Sequence, residues 1–199
     1  MKKFMMIAVM VVCCLAANAQ KVRHDAGSIT IQPMVGLSTG MLRGEYTVNG
    51  ATVTIDNDEA RTGLAVGAEA EYYLSNGWFS LSAGAMYQQQ GWKIKNSDTY
   101  KVDYINVPIL ANFYVLKGLD LKIGLQPGFL VGAKVGGADF KDDCNSFNLA
   151  IPLGISYEFK NGITLDLRGA ASLTKLNKDD DISWFNNGGM LTIGYKFEL

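Results

Sequence analysis

Apolar and polar residues alternate with a period of two through almost the whole chain beyond residue 28. In the first run Ile29, Ile31, Val35 and Leu37 share one face. Leu64, Val66, Ala68, Ala70, Tyr72 and Leu74 share a face in the second, and Phe79, Leu81, Ala83, Ala85 and Tyr87 in the third. The fourth carries Ile105, Val107, Ile109, Ala111, Phe113 and Val115, and the fifth Leu119, Leu121, Ile123, Leu125, Phe129 and Val131. The sixth runs from Phe147 to Phe159, the seventh from Ile163 to Leu173, and the eighth starts near Gly189. A helix repeats every three to four residues, so this period specifies strands. Each run reaches the roughly 9–11 residues that a tilted strand needs to cross a bilayer. No apolar run past the N-terminus is long enough for a membrane helix. The expected fold is an all-β, eight-stranded antiparallel up-and-down transmembrane β-barrel.

The last run places Ile193, Tyr195, Phe197 and Leu199 on one face and Thr192, Gly194, Lys196 and Glu198 on the other. An open sheet edge bearing such a face is an aggregation hazard, whereas a strand that closes a barrel in lipid leaves no edge. Gly194, Tyr195, Phe197 and Leu199 also resemble the C-terminal insertion signal of outer-membrane barrels, with Leu199 at a position where an aromatic residue is commoner.

Lys2 and Lys3 precede an uncharged apolar run over residues 4–15, and Ala17-Asn18-Ala19 offers a small-x-small cleavage site. Residues 1–19 therefore read as a signal peptide cleaved near Ala19, rather than a membrane anchor, for which the run is too short. Residues 20–27 follow as a short periplasmic arm and residues 28–199 as the barrel domain. Two of the three cysteines, Cys13 and Cys14, leave with the signal, so Cys144 has no internal disulfide partner. The formal charge of −1 becomes −3 once Lys2 and Lys3 are removed, and no basic run or patch is present. Nucleic-acid binding has no support.

Three connections are short and rich in Gly or Asn: Ser75-Asn76-Gly77, Lys117-Gly118 and Lys160-Asn161-Gly162. The others, around residues 41–60, 91–101, 136–146 and 176–187, read as long polar loops. Short periplasmic turns opposite long outer loops are the layout of outer-membrane barrels. Asn49-Gly50 reads as a further tight turn, with the first two strands projecting as a hairpin beyond the membrane. Aromatic residues gather near the turns (Tyr72, Tyr73, Trp78, Phe79, Phe113, Tyr114, Tyr157, Phe159, Tyr195, Phe197) and near the loops (Tyr87, Trp92, Tyr104, Phe147, Trp184). They are expected to form two interfacial belts.

The rival architecture is a soluble barrel with an apolar interior. The polar faces disfavour it. They carry small residues such as Gly63, Ala65, Gly67, Ser80, Ser82, Gly84, Gly124, Gly128, Gly132 and Gly154, which suit the narrow inside of a small barrel.

The segment Tyr104-Ile105-Asn106-Val107-Pro108-Ile109-Leu110-Ala111-Asn112-Phe113-Tyr114 is similar to the fourth-strand signature of PorT-like outer-membrane β-barrel proteins. Gly124-Leu125-Gln126-Pro127-Gly128-Phe129-Leu130-Val131-Gly132-Ala133-Lys134 resembles the next strand of that family. The resemblance spans essentially the whole mature chain. It implies an outer-membrane barrel, and its best-known member is associated with protein secretion and gliding machinery. It transfers no functional residue.

Acyl-transfer or hydrolytic barrels pair Ser with His, often with a carboxylate. The one histidine, His24, lies on the periplasmic arm between Arg23 and Asp25. The acidic loop groups Asp56-Asn57-Asp58-Glu59, Asp142-Asp143 and Asp179-Asp180-Asp181 lack the spacing of a calcium loop and read as solvated tips. No cofactor, metal or catalytic group is expected. A non-enzymatic barrel that anchors, displays loops or assists an envelope assembly leads. A small hydrophobic-ligand carrier and a lipid-modifying enzyme are the alternatives. Eight strands enclose too narrow a lumen for a diffusion pore. Pro33, Pro108, Pro127 and Pro152 fall inside strands, where they read as bulges or as openings in the wall. The expected partners are outer-membrane lipid and lipopolysaccharide, the barrel-assembly machinery, and an envelope protein.

Counted from the turns, Glu71, Lys122 and Asp166 face inward at similar heights, with Glu69 and Arg168 one inward position further up. Glu158 and Lys196 lie nearer the turns. These residues are expected to form a charged lumen plug, with the Arg168 fork holding two carboxylates.

Overall fold

The computed structural model describes residues 24–48, 51–56, 59–93, 99–178 and 183–199. The signal segment and most of the arm lie outside these residues, as do Asn49-Gly50 and the triple-aspartate tip.

Twelve strand segments build eight staves. They are β1 (Ile29–Val48), β2 (Ala51–Asp56), β3 (Glu59–Tyr73), β4 (Phe79–Lys93), β5 (Thr99–Asn106), β6 (Ile109–Leu116), β7 (Leu119–Val135), β8 (Ala138–Asp139), β9 (Phe147–Glu158), β10 (Ile163–Ser172), β11 (Ser183–Tyr195) and β12 (Phe197–Glu198). β5 with β6 makes the fourth stave and β11 with β12 the last. β2 and β8 are hairpin returns at the outer end. Every pairing is antiparallel, and the ring closes where β1 meets β11 from Met34↔Gly194 to Glu45↔Ser183 and β12 at Ile31↔Phe197.

The side-chain distribution is that of a protein dissolved in lipid. Outward residues such as Leu153 at 62% exposure and Leu37 at 56% are apolar, whereas inward Thr30, Asn112 and Asp166 are fully buried. A soluble barrel would reverse this, so the bilayer is the solvent and the wall is the membrane-crossing surface. The turns follow the sequence: Gly77, Gly118 and Gly162 adopt φ of 75°, 80° and 83°, where a side chain is unfavourable.

Four expectations need correction. The outer connections are shorter than the composition suggests, because β1 runs on to Val48, β4 to Lys93, and β11 starts at Ser183 rather than near Gly189. Backbone ladders continue through the polar segments because unpaired groups would otherwise need other partners. The register Val48↔Ala51 leaves a two-residue connection for the projecting hairpin. Second, Tyr73, Trp92, Tyr104 and Tyr157 are buried, not in lipid belts. Parity explains Tyr73: its neighbour Tyr72 takes the outward position, so Tyr73 must point inward. Third, Leu119 is buried at the edge of its turn rather than facing lipid. Fourth, the register shifts lie at Ala60/Ala65, Asp103/Tyr104 and Tyr114/Leu116, none of them at a proline. Only Pro108 interrupts a stave, and that break is bridged: the Val107 N–H donates to the Pro127 carbonyl at 2.7 Å, and the Gly84 N–H to the Pro108 carbonyl at 3.1 Å.

Candidate functional site

The lumen is filled in layers. Nearest the turns, the Lys196 ammonium lies 2.7 Å from Glu71 Oε2 and 3.3 Å from Glu158 Oε2, and donates to the Tyr114 hydroxyl at 2.9 Å and the Tyr73 hydroxyl at 3.0 Å. Tyr114 donates to Glu71 Oε1 at 2.5 Å, Asn112 donates to the same oxygen at 3.3 Å, and Ser80 adds a further hydrogen bond. His24 closes this floor from below: its Nε2 is 3.1 Å from Glu158, and its ring stacks on Tyr73 at 4.4 Å. Strand parity sends Lys196 inward between the outward Tyr195 and Phe197.

Above it sits the densest charge group. Arg168, on β10, holds Asp166 through Nε at 2.7 Å and Nη2 at 2.8 Å, and grips both oxygens of Glu69 on β3, Nη2 reaching Oε2 at 2.8 Å. Lys122, on β7, lies 3.3 Å from Asp166 and 3.9 Å from both Glu69 and Asp120. Its ammonium is shared electrostatically, with no well-directed hydrogen bond among the described residues. All five residues are at most 4% exposed. Charges taken this far from water require pairing, since an orphan costs several kcal/mol.

The structure thus brings Glu69, Lys122, Asp166 and Arg168 into one group and places Glu71 a layer lower, with Lys196. Barrel shear causes the separation, because residues equally far from their own turns are staggered around the ring. Asp120 is a member the sequence reading passed over. The signal was present: it lies between Leu119 and Leu121, in the inward parity of Lys122.

Higher up, neutral amides replace charges. Gln90 donates to Gln88 at 2.8 Å, Asn106 to Gln88 at 3.0 Å, and Asn186 to Gln90 at 2.6 Å. Met34, Met86, Met190 and Ala65 pack beside them. The outer mouth is sealed by an apolar cluster of Leu42, Trp92, Val102, Tyr104, Leu130, Ala133, Cys144 and Leu176. Burial pushes the Cys144 thiol up to about 11, so it remains protonated and inert at neutral pH.

Of the C-terminal residues, Tyr195, Phe197 and Leu199 are exposed on the lipid side, and the rings of Tyr195 and Phe197 lie 4.6 Å apart. The Leu199 N–H donates to the Ile29 carbonyl at 3.0 Å, extending the closing seam. At Gly194 a Cβ would meet the Pro33 carbonyl oxygen at 2.7 Å and Thr164 Oγ1 at 2.9 Å, so close strand approach requires glycine there. Among the described residues no group of three or more His, Cys, Asp or Glu side chains has metal-holding geometry.

The family model for the outer membrane protein beta-barrel domain matches residues 18–178, and the chain belongs to that family. No curated protein matches. Among solved structures, Ail, the attachment invasion locus protein of Yersinia pestis, superposes with a TM-score of 0.50 at 17% identity, over 86% of this chain and 99% of that one. This likeness is one of fold. OprG of Pseudomonas aeruginosa (TM-score 0.47, 14% identity, 87% and 97% covered) and neisserial surface protein A (0.45, 15%, 86% and 97%) are more distant. The protein is an outer-membrane β-barrel.

Proposed function

We propose that this member of the outer membrane protein beta-barrel domain family is a non-enzymatic barrel with a closed lumen. It anchors and displays its outer connections, or serves as an accessory to an envelope assembly. One observation carries the reading: the interior is occupied at every level, by the His24–Lys196 floor, the Arg168 group and the apolar cap around Trp92. A filled lumen leaves the outer surface and the loops as the parts able to meet a partner. Residues 1–19 would direct export and be removed near Ala19. The PorT-like character of residues 104–134 favours the accessory role.

A lipid-modifying enzyme is a weaker reading. His24 is engaged by Glu158 at the periplasmic end, away from the outer leaflet. A small-hydrophobic-ligand carrier draws on an outward groove of about 430 Å³ at the closing seam, bordered by Pro33, Val35, Val66, Gly67, Ile193 and Tyr195. The test of the closed lumen is electrical. Purified protein in a planar bilayer should give no stable conductance steps, and reproducible steps would remove the basis of the proposal.

A further inference from the structure

We propose that Asp120 is a proton-binding site inside the barrel, its carboxyl holding a proton at about pH 5, where an exposed aspartate is largely ionised. The inference rests on the packing of the interior and is independent of the barrel's role as an anchor. Among the described residues five buried lumen acids, Glu69, Glu71, Asp120, Glu158 and Asp166, face three buried cations, Lys122, Arg168 and Lys196. The acids are unequally partnered. Glu71 has Lys196 at 2.7 Å and hydrogen bonds from Tyr114, Asn112 and Ser80. Glu69 and Asp166 share the Arg168 fork, and Asp166 has Lys122 at 3.3 Å as well. Glu158 lies between Lys196 at 3.3 Å and His24 at 3.1 Å.

Asp120 stands apart. It is 1% exposed, and Lys122 is 3.9 Å from its Oδ2, beyond hydrogen-bond reach. Of the five acids it is the one that leaves a buried oxygen, Oδ1, without a hydrogen-bond partner among the described residues. Charge balance points the same way. Lys122 and Arg168 already match Glu69 and Asp166, so an ionised Asp120 adds a surplus negative charge where water is excluded. A buried charge that lacks its own partner is costly, and a proton removes it.

The ionisable groups around Asp120 are Lys122 on its own strand, Tyr114 on β6, Glu158 on β9, Asp166 on β10, Glu69 and Glu71 on β3, and Lys196 between β11 and β12. The two lysines favour the charged form, but each lies closer to another acid: Lys122 to Asp166 and Lys196 to Glu71. The four neighbouring carboxylates oppose it. Ser156, buried at the paired position on β9, offers a hydroxyl oxygen to which an acid O–H can donate. The proton has a route from the periplasmic end. His24, 12% exposed, touches Glu158, Glu158 meets Lys196, and Lys196 donates to Tyr114, which pairs with Asp120 across β6 and β7. At the outer end the apolar cap around Trp92 closes the lumen. Uptake from periplasmic water turns the carboxylate into the acid and leaves Lys122 to Asp166 and Glu69.

The experiment uses the full protein in phosphatidylcholine vesicles. Infrared spectra at about pH 5 should show the carbonyl band of a protonated carboxyl. Asp120→Asn should remove part of that band, and Asp142→Asn, at an exposed loop acid, should leave it in place. In urea unfolding at the same pH the midpoint of Asp120→Asn should match wild type, since the amide reproduces the neutral acid. That of Asp166→Asn should fall, since Arg168 and Lys122 lose a partner. Raising the pH to about 8 should lower the wild-type midpoint relative to Asp120→Asn, because the folded protein then gives up a proton that the unfolded chain does not hold. Absence of an Asp120-dependent band at about pH 5 would overturn the proposal. So would a midpoint of Asp120→Asn that falls as far as that of Asp166→Asn, which would mark a working ion pair with Lys122. Should Asp120→Asn fail to fold, wild-type protein carrying carbon-13 in its aspartate carboxyls decides the matter: a band that shifts on labelling supports the site, and an unshifted band overturns it.

Discussion

Replacing Arg168 with alanine is the sharpest probe of the lumen. The buried charge groups comprise Glu69, Glu71, Asp120, Glu158 and Asp166 against Lys122, Arg168 and Lys196. Truncation leaves five carboxylates facing two ammonium groups. Glu69 loses both of its guanidinium contacts and Asp166 two more, which leaves Lys122 at 3.9 Å and 3.3 Å as their remaining cation. A hydrogen bond to a charged group contributes about 1.5–3 kcal/mol net, and breaking a buried pair from one side costs roughly 3–5 kcal/mol. Relief by water is limited at first, because the void bordering Arg168 is about 10 Å³, room for one water at most. Truncation enlarges that space and lets some water in, so the cost stays within roughly 3–5 kcal/mol rather than the sum of the separate bonds. Arg168→Met combined with Glu69→Gln should recover about half of the loss, since fewer charges are then orphaned. Urea unfolding in lipid vesicles, followed by tryptophan emission and by heat-modifiable gel mobility, measures both. A loss below about 1 kcal/mol for Arg168→Ala would mean that water already solvates these carboxylates, and the reasoning would fail.

Deleting residues 195–199 should abolish insertion while leaving export intact, because β12 and the Leu199 N–H complete the seam with β1; outer-membrane levels matching wild type would refute this. Cys144 should resist alkylation in the folded protein at pH 8 and react only on unfolding or as pH nears 11, since a raised thiol stays protonated over that range. Mass spectrometry of reagent-treated protein reads the difference.

The architecture was legible because lipid imposes a simple rule on each wall residue. Outward positions must be apolar and inward ones small or polar, so the pattern Leu64, Val66, Ala68, Ala70 and Tyr72 fixes β3 without any knowledge of its neighbours. The rule stops where the wall leaves the membrane. There Leu42, Trp92, Val102, Tyr104 and Leu130 face inward to make an apolar cap, the reverse of the pattern below. Parity alone sends Trp92 and Tyr104 inward, but if the inward face is expected to be polar throughout, their aromatic character makes them look like belt residues and the flanking segments look like loops. Only the pairing of β1 with β2 and of β4 with β5 shows that these segments are strands with a core of their own.

The interior charges follow from the same logic taken one step further. Parity alone says that Glu69, Glu71, Asp120, Lys122, Asp166 and Arg168 point inward. Which of them meet depends on shear, a property of the closed ring that no single strand encodes. That is why Glu71 pairs with Lys196, from the far end of the chain, and why Arg168 reaches across to Glu69 rather than to an acid on its own neighbouring stave. The partners are separated by 125 and 99 positions in sequence, as 196 minus 71 and 168 minus 69. Such contacts form only when the first and last staves are in register. The paired charges therefore discriminate the correct closure from a slipped one. A slip by one residue would turn Lys196 and Glu198 toward lipid on the wrong parity and strand Glu71 without a cation, at several kcal/mol for each orphan. The lumen network is then a device for specifying closure as much as for plugging the barrel.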